Sequence, residues 1–370
     1  MAKLQVGLLF GGKSVEHRVS IVSATAIFNA LNRDKYDVSP IMIDPEGRWH
    51  LAPRGYEGAL ERLSQEPEVM LRPDASGGHL ESLDPKSRAG SENRPLDVIF
   101  PIAHGRGGED GSVQGLFELA SVPYVGSGVL SSALQMDKDL AKQILKSAGL
   151  PVLPWVTVRC EELLERGERK WAEEIIEELL LPVFVKPANS GSSIGISKAD
   201  DLASLTASLQ EAARFDDKVI VERAVEAREI EIAILGNESC KASVPGEIIP
   251  KVEFYDYQAK YQDESTELII PAEIPDSVTE KLQDIAVRAA KALAARGMTR
   301  VDFLIERENQ NIWINELNSL PGFTSGSMYP RLWAATGVPF SALLDQLIEL
   351  ALERHAQRVR LQTAAPPALL

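Results

Sequence analysis

Two late segments hold the residue types best suited to chemistry: "RVDFLIE", Arg300 to Glu306, and "NIWINELN", Asn311 to Asn318. Both alternate apolar and polar residues as strands do. Alternate side chains share a face, so Glu316 and Asn318 point together, and Arg300 joins Asp302. A hairpin turning near Asn309 sets Asp302 roughly opposite Glu316. Two carboxylates and one carboxamide then converge, a hard-oxygen set suited to Mg²⁺ or Mn²⁺ rather than zinc. Arg300, two residues away, could stabilise a developing negative charge. The plainer alternative is a solvated sheet face with incidental acids. It is weakened by the apolar neighbours of Asp302 and Asn318. It is weakened again by "NSLPGFTSGS", which follows at once and whose glycine-punctuated backbone suits an oxyanion.

A second constellation is "FVKPANSGSSIG". Lys186 ends an apolar strand, and Gly191, Ser192, Ser193 and Gly195 form a turn that could cover phosphates above it. Taken alone, such a turn is an ordinary hairpin. Lys138, in "QMDKDLAK", reads alone as a solvated helical lysine. A third is "HGRGGEDGSVQG", His104 to Gly115, after the strand Val98 to Ala103. Glycines and a histidine at the end of a parallel strand mark a ligand crevice, and Gly111 and Ser112 would open a helix whose N-terminus favours an anion. His104 is there either to pack or to work.

The opening "VGLLFGGKSVEH" contains the letters G-x-x-x-x-G-K-S of a phosphate-cradling loop. Its context is wrong for one. Val6 to Phe10 is an apolar strand, so Gly7 lies inside it and the turn is only Gly11-Gly12. Glu16, close behind, would repel phosphate.

These residues need elements to position them. Strands at Val6 to Phe10, Val38 to Ile43 and Val98 to Ala103 with a helix from Ser20 to Leu31 argue a parallel α/β sheet. Arg72 to Pro95, rich in Gly, Pro, Ser and charge, reads as a surface excursion. Ser131 to Ala148 reads as one helix ended by Gly149. Further helices are expected near Trp171 to Leu180 and from a capping box at Ser277 to Glu280 up to Gly297. Three units are expected: residues 1–126, an α/β unit; 127–223, a central unit; and 224–360, a unit carrying the metal-type residues. Residues 361–370 would be a frayed tail.

Across its 370 residues the chain is 44% hydrophobic and 25% charged, with net charge −15 at pH 7. That argues against general nucleic-acid or membrane-surface binding and leaves anionic small ligands possible through local cations. Cys160 and Cys240 match no metal or redox spacing. No run approaches the ~20 apolar residues of a membrane span, and a strand follows the N-terminus with no leader pattern. The expected location is the cytoplasm.

The pieces "GGKSVEHRVS", "HGRGGEDGSVQG", "MDK", "VKPANSGSSIG", "FYDYQAKY", "RVDF" and "NELNSLPGFTSGS" together resemble the D-alanine–D-alanine ligases of the ATP-grasp superfamily. They span Gly11 to Ser327 in family order. Ser319 departs from the commoner threonine, and "ERAVEAREIE" matches the adenine-binding segment loosely. The resemblance implies a three-domain ATP-grasp architecture, α/β and α+β, with ATP between the central and C-terminal units. It implies that Lys138 and Lys186 neutralise phosphates and that Glu222, Val225 and Glu229 hold the ribose or adenine side. Ser193, Lys260 and Asn315 belong with the nucleotide too. Asp302, Glu316 and Asn318 would bind two Mg²⁺ (or Mn²⁺). Glu16 would pair with the first D-alanine's ammonium and be linked to Ser192 and Tyr261. His104 would lie near the reacting carboxylate. Arg300 and the Gly322 N–H would stabilise the oxyanion. Ser327 would bind the second D-alanine's carboxylate, helped by Lys260 or Tyr261, and Tyr255 to Tyr261 would form a lid. A homodimer is also implied. The rival readings are a D-alanine–D-lactate ligase, disfavoured by Tyr261, a P-loop hydrolase or kinase, and a nucleotide-binding module without catalysis.

Overall fold

Strand β1 (Leu4–Gly11) is buried along nearly its whole length, the pattern of a strand covered on both faces. It pairs in parallel with β2 (Tyr36–Ile43) and β6 (Val98–Pro101), and α1 (His17–Ala30) follows it. The structure, a computed structural model, describes residues 2–53, 55–75, 77–84, 95–191, 194–249, 267–324 and 326–361. The sheet is not parallel throughout. After β2 the Asp44 carboxylate accepts hydrogen bonds from the Glu46 and Arg48 N–H groups at 3.0 and 2.9 Å, which folds a tight turn. A tight turn can only reverse the chain, so β3 (Trp49–Leu51), β4 (Glu68–Leu71) and β5 (Leu80–Ser82) extend the sheet in antiparallel fashion. Part of the expected surface excursion is therefore an edge strand, with Leu80 only 5% exposed.

Helices α2 (Ser112–Leu119), α3 (Val129–Met136) and α4 (Lys138–Ser147) come next. The single helix expected over Ser131 to Ala148 is two. Asp137 leaves helical geometry (ψ 99°), and its side chain accepts the Leu140 N–H at 3.0 Å, capping α4. A carboxylate that satisfies an unpaired backbone donor starts a new helix instead of continuing the old one. Lys138 is thereby the first residue of α4.

The second sheet joins β7 (Trp155–Arg159), β8 (Val183–Pro187), β9 (Ser197–Ala199) and β10 (Lys218–Arg223) in the order β7-β10-β8-β9, all antiparallel. Val183, Val185, Val219 and Val221 face the core made with α5 (Cys160–Arg166), α6 (Glu168–Leu179) and α7 (Leu202–Ala212). The two-residue period turns Lys186, Lys218 and Glu222 to the other face.

The third sheet comprises β11 (Ala227–Gly236), β12 (Lys241–Ala242), β13 (Gly246–Ile249), β14 (Glu267–Ile269), β15 (Gly297–Glu306) and β16 (Ile312–Asn318). Its order is β14-β13-β11-β15-β16, with β12 on β11. Helix α8 (Asp276–Ala292) covers one face against Ile230, Ile232, Val301 and Phe303. It begins a residue before the expected capping box, with Pro275 at its N-cap and no side-chain cap bond. Helices α9 (Met328–Ala335) and α10 (Phe340–Val359) return to the first sheet, so Leu8 and Phe10 share a core with Trp333 and Leu347. Among the described residues no single helix is long and apolar enough to cross a membrane.

Candidate active site

The ends of the three sheets surround a cleft of about 810 Å³ lined by Glu16, His104, Lys138, Glu229, Arg300, Glu316 and Gly322, among others. Each wall is set by local geometry.

On the first wall β1 ends at Gly11, whose φ is +89°. A side chain there would meet the Ile43 carbonyl at 2.1 Å, so the turn requires glycine. Gly12 N–H donates to that same carbonyl at 2.8 Å. Lys13 is exposed and runs over the Gly47 turn, away from the cleft. No phosphate-wrapping loop exists here. Glu16 instead occupies the N-cap position of α1 without a side-chain capping bond, 7% exposed, where the helix dipole favours a negative charge. Gly105 and Gly191 press against its carboxylate: a Cβ at either would lie 3.2 or 3.4 Å from Oε2. His104 is buried, its Nδ1 3.1 Å from the Leu320 carbonyl. Burial lowers its pKa, against the opposing pull of Glu16. Glu109, which the sequence reading passed over, accepts the Gly105 N–H at 2.5 Å. Burial and then the Glu16 charge push its carboxyl up to about 8. Its position five residues after His104, inside "HGRGGEDG", was the available signal.

On the second wall Lys138 donates to the Ser190 carbonyl at 2.7 Å and lies 3.3 Å from Glu316. Lys186 lies 2.5 Å from Glu222 Oε2 and 3.5 Å from Asn315 Oδ1. Burial alone would lower the Lys186 pKa, and the surrounding acids, Glu222 first, raise it instead. Burial alone would raise Glu222; Lys142 and Lys186 outweigh it and hold the carboxyl near 2. Lys186 and Glu222 stand beside the cleft, reached through Asn315, and half-buried Val225 lies in the β10–β11 link. Ser192, Ser193, Lys260, Tyr261 and the expected lid lie outside the described residues.

On the third wall Asp302 pairs with Glu316 across the ladder, and Arg300 with Asn318. The register shifts after Asp302, since Phe303 pairs with Ile314. Asn315 is thus an extra residue. The bulge reverses the parity of β16, so Ile314 and Leu317 both face the core while Asn315, Glu316 and Asn318 line the cleft. Arg300 grips Asp302 with two hydrogen bonds of 2.7 Å and lies 2.9 Å from Glu231. Burial alone would lower its pKa, and Asp302 and Glu231 raise it well above the ordinary value. Glu231 was missed by the sequence reading, although "EIEI" at Glu229 to Ile232 has the alternation that exposes it.

Asn318 Nδ2 donates to Asp302 at 2.8 Å. Among the described residues no three His, Cys, Asp or Glu side chains form a metal cluster. The donor set of Asp302, Glu316 and the Asn318 carboxamide nevertheless fits a hard divalent ion by oxygen type and charge. After β16 the chain turns, anchored by Phe323, whose ring meets Phe100 edge-on at 6.0 Å. A Cβ on Gly322 would come within 2.9 Å of Ser327 Oγ, which also accepts the Thr324 N–H at 3.0 Å. Gly322 and Ser327 are therefore adjacent.

The family models "D-ala D-ala ligase N-terminus" and "D-ala D-ala ligase C-terminus" match residues 5–127 and 144–349. A D-alanine–D-alanine ligase from Caldicellulosiruptor bescii is 46% identical, covering 97% of this chain and 98% of its own. The solved D-alanine-D-alanine ligase from Coxiella burnetii is 37% identical with a TM-score of 0.82, covering 97% of each chain. The VanG D-Ala:D-Ser ligase from Enterococcus faecalis is 35% identical with a TM-score of 0.83, covering 95% of this chain and 100% of that one. With two family models in order along the chain and relatives matched over nearly all of it, the chain belongs to the D-alanine–D-alanine ligase family.

Proposed function

We propose that the chain joins two D-alanines into D-alanyl-D-alanine, using ATP and an acyl-phosphate intermediate, to supply a peptidoglycan precursor. The observation that carries this reading is a single cleft. It brings a buried carboxylate, Glu16, together with cations and oxygen donors at Lys138, Arg300, Asp302 and Glu316. Lys138 and Lys186 neutralise the phosphates, and Ser193, Lys260 and Asn315 assist. Glu222, Val225 and Glu229 hold the nucleoside end. Asp302, Glu316 and Asn318 would hold Mg²⁺ or Mn²⁺, which when bound supplies charge neutralisation across the phosphate oxygens.

Glu16, ordered by Ser192 and Tyr261, fixes the ammonium of the first D-alanine. The carboxylate oxygen of that D-alanine attacks the γ-phosphorus, the bond to ADP breaks, and an acyl phosphate of D-alanine forms. Such transfer is mostly positioning and charge compensation. The amine of the second D-alanine, held through its carboxylate by Ser327, attacks the carbonyl carbon. Arg300 and the Gly322 N–H stabilise the tetrahedral oxyanion until phosphate leaves. His104 sits near the reacting carboxylate. Water must be kept from the acyl phosphate, the task of a lid at Tyr255 to Tyr261. We place unit boundaries near residues 126, 223 and 360, with a homodimer working in the cytoplasm.

Overall fold does not choose the second substrate, since the VanG D-Ala:D-Ser ligase superposes as well as the Coxiella burnetii D-alanine-D-alanine ligase does. The test is therefore ATP-dependent phosphate release with D-alanine alone and with L-alanine, D-serine or D-lactate added, followed by mass analysis. D-alanyl-D-alanine is the expected main product. Its absence under saturating ATP and Mg²⁺ overturns the reading.

A further inference from the structure

Lys142 is a fully buried cation that the reaction scheme does not use. It lies one turn after Lys138 on α4, 1% exposed, with its Nζ 2.9 Å from Glu222 Oε1. The other oxygen of Glu222 holds Lys186 at 2.5 Å. One carboxylate thus stands between two ammonium groups, away from water.

The two lysines differ in freedom. Neither lines the cleft itself, and the helix that carries Lys142 is fixed to the central sheet. Lys218, on the same face of β10 as Glu222, holds Asp137 at 2.6 Å and Asp139 at 3.3 Å, at the start of α4. The Lys186 side chain is 12% exposed against 2% for Lys142, and it reaches towards Asn315. Were Lys186 to leave Glu222 for a phosphate with no other cation present, a buried carboxylate would lose its partner, which is strongly unfavourable.

We propose that Lys142 is a positioning residue, the standing counter-charge of Glu222 that releases Lys186 to the nucleotide phosphates. The inference rests on the ATP-binding reading above. The depressed pKa of Glu222 agrees with a carboxylate held ionised by its two lysines, while burial lowers the pKa of Lys142 and Glu222 is the group that pulls it back up.

The test is calorimetric binding of ATP and ADP, with Mg²⁺ and without D-alanine, to the full chain. Lys142→Met is measured in the native background and in Glu222→Gln. In the native background the substitution weakens nucleotide binding about tenfold or more, with the D-alanine KM within about twofold; with Glu222 neutral the same substitution costs less than about twofold. Equal losses in both backgrounds would mean a packing role and overturn the proposal, as would no loss in either. If Lys142→Met does not fold alone, the neutral pair Lys142→Met/Glu222→Gln is compared with Glu222→Gln, and a tenfold loss there refutes it. If the unsubstituted protein binds no nucleotide, it is the ATP reading that fails.

Discussion

Replacing Arg300 by lysine keeps the positive charge and removes the planar fork, which makes it a direct test of the third wall. Arg300 makes three short contacts: 2.7 Å to each Asp302 oxygen and 2.9 Å to Glu231. An ammonium cannot reproduce a bidentate grip on Asp302 while also meeting Glu231. Two charge-assisted contacts are lost at about 1.5–3 kcal/mol each, and the retained charge offsets part of this, leaving about 2–4 kcal/mol. For a chain of 370 residues the shift is about 1.3 °C per kcal/mol, so Tm falls by roughly 3–5 °C. Loss of an aligned oxyanion donor costs about 100- to 1,000-fold in kcat. Differential scanning calorimetry and steady-state phosphate release read the two effects separately. A lysine variant with kcat within about threefold of the parent and an unchanged Tm would show that neither the fork nor its placement matters, and the reasoning would fall.

Two other outcomes follow from the first wall. Lys13→Ala leaves activity within about twofold, since its side chain points over the Gly47 turn, whereas Glu16→Ala lowers kcat/KM by about 100-fold or more; a large Lys13 effect measured by the same phosphate assay would restore the phosphate-loop reading. Glu109, pushed from 4.5 to about 8, binds a proton more tightly in the folded chain than in the unfolded one. Between those values stability falls as pH rises, by a few kcal/mol at most, and Glu109→Gln flattens that decline in urea melts at pH 5 and pH 8.

Much of the third wall was legible because it depends on alternation within single strands. Asp302 faces Glu316 as the hairpin reading requires. The bulge at Asn315 was not legible, because it arises from pairing and leaves no local mark in "NIWINELN". The break at Asp137 was hidden for a similar reason. The run from Ser131 to Ala148 keeps a helical pattern across it, and the cap that interrupts it is fixed by Lys218, about 80 residues later in the chain. Lys142 and Glu231 went unnoticed because a charged residue reads as solvated until its burial is known. The antiparallel strands β3 to β5 are short, and their hydrophobic signal is weak beside β1.

The core shared by the first sheet and helices α9 and α10 has a consequence for how this enzyme can vary. Glu16 enters the cleft from α1, and Gly322 stands beside Phe323, which packs on Phe100 and Tyr329. The spacing between those two groups is therefore set by one hydrophobic interior. Selection for folding and selection for turnover act there on the same side chains, so a neutral drift in packing is also a drift in catalysis. The central sheet, whose apolar face closes on α5, α6 and α7 among the described residues, keeps those pressures apart.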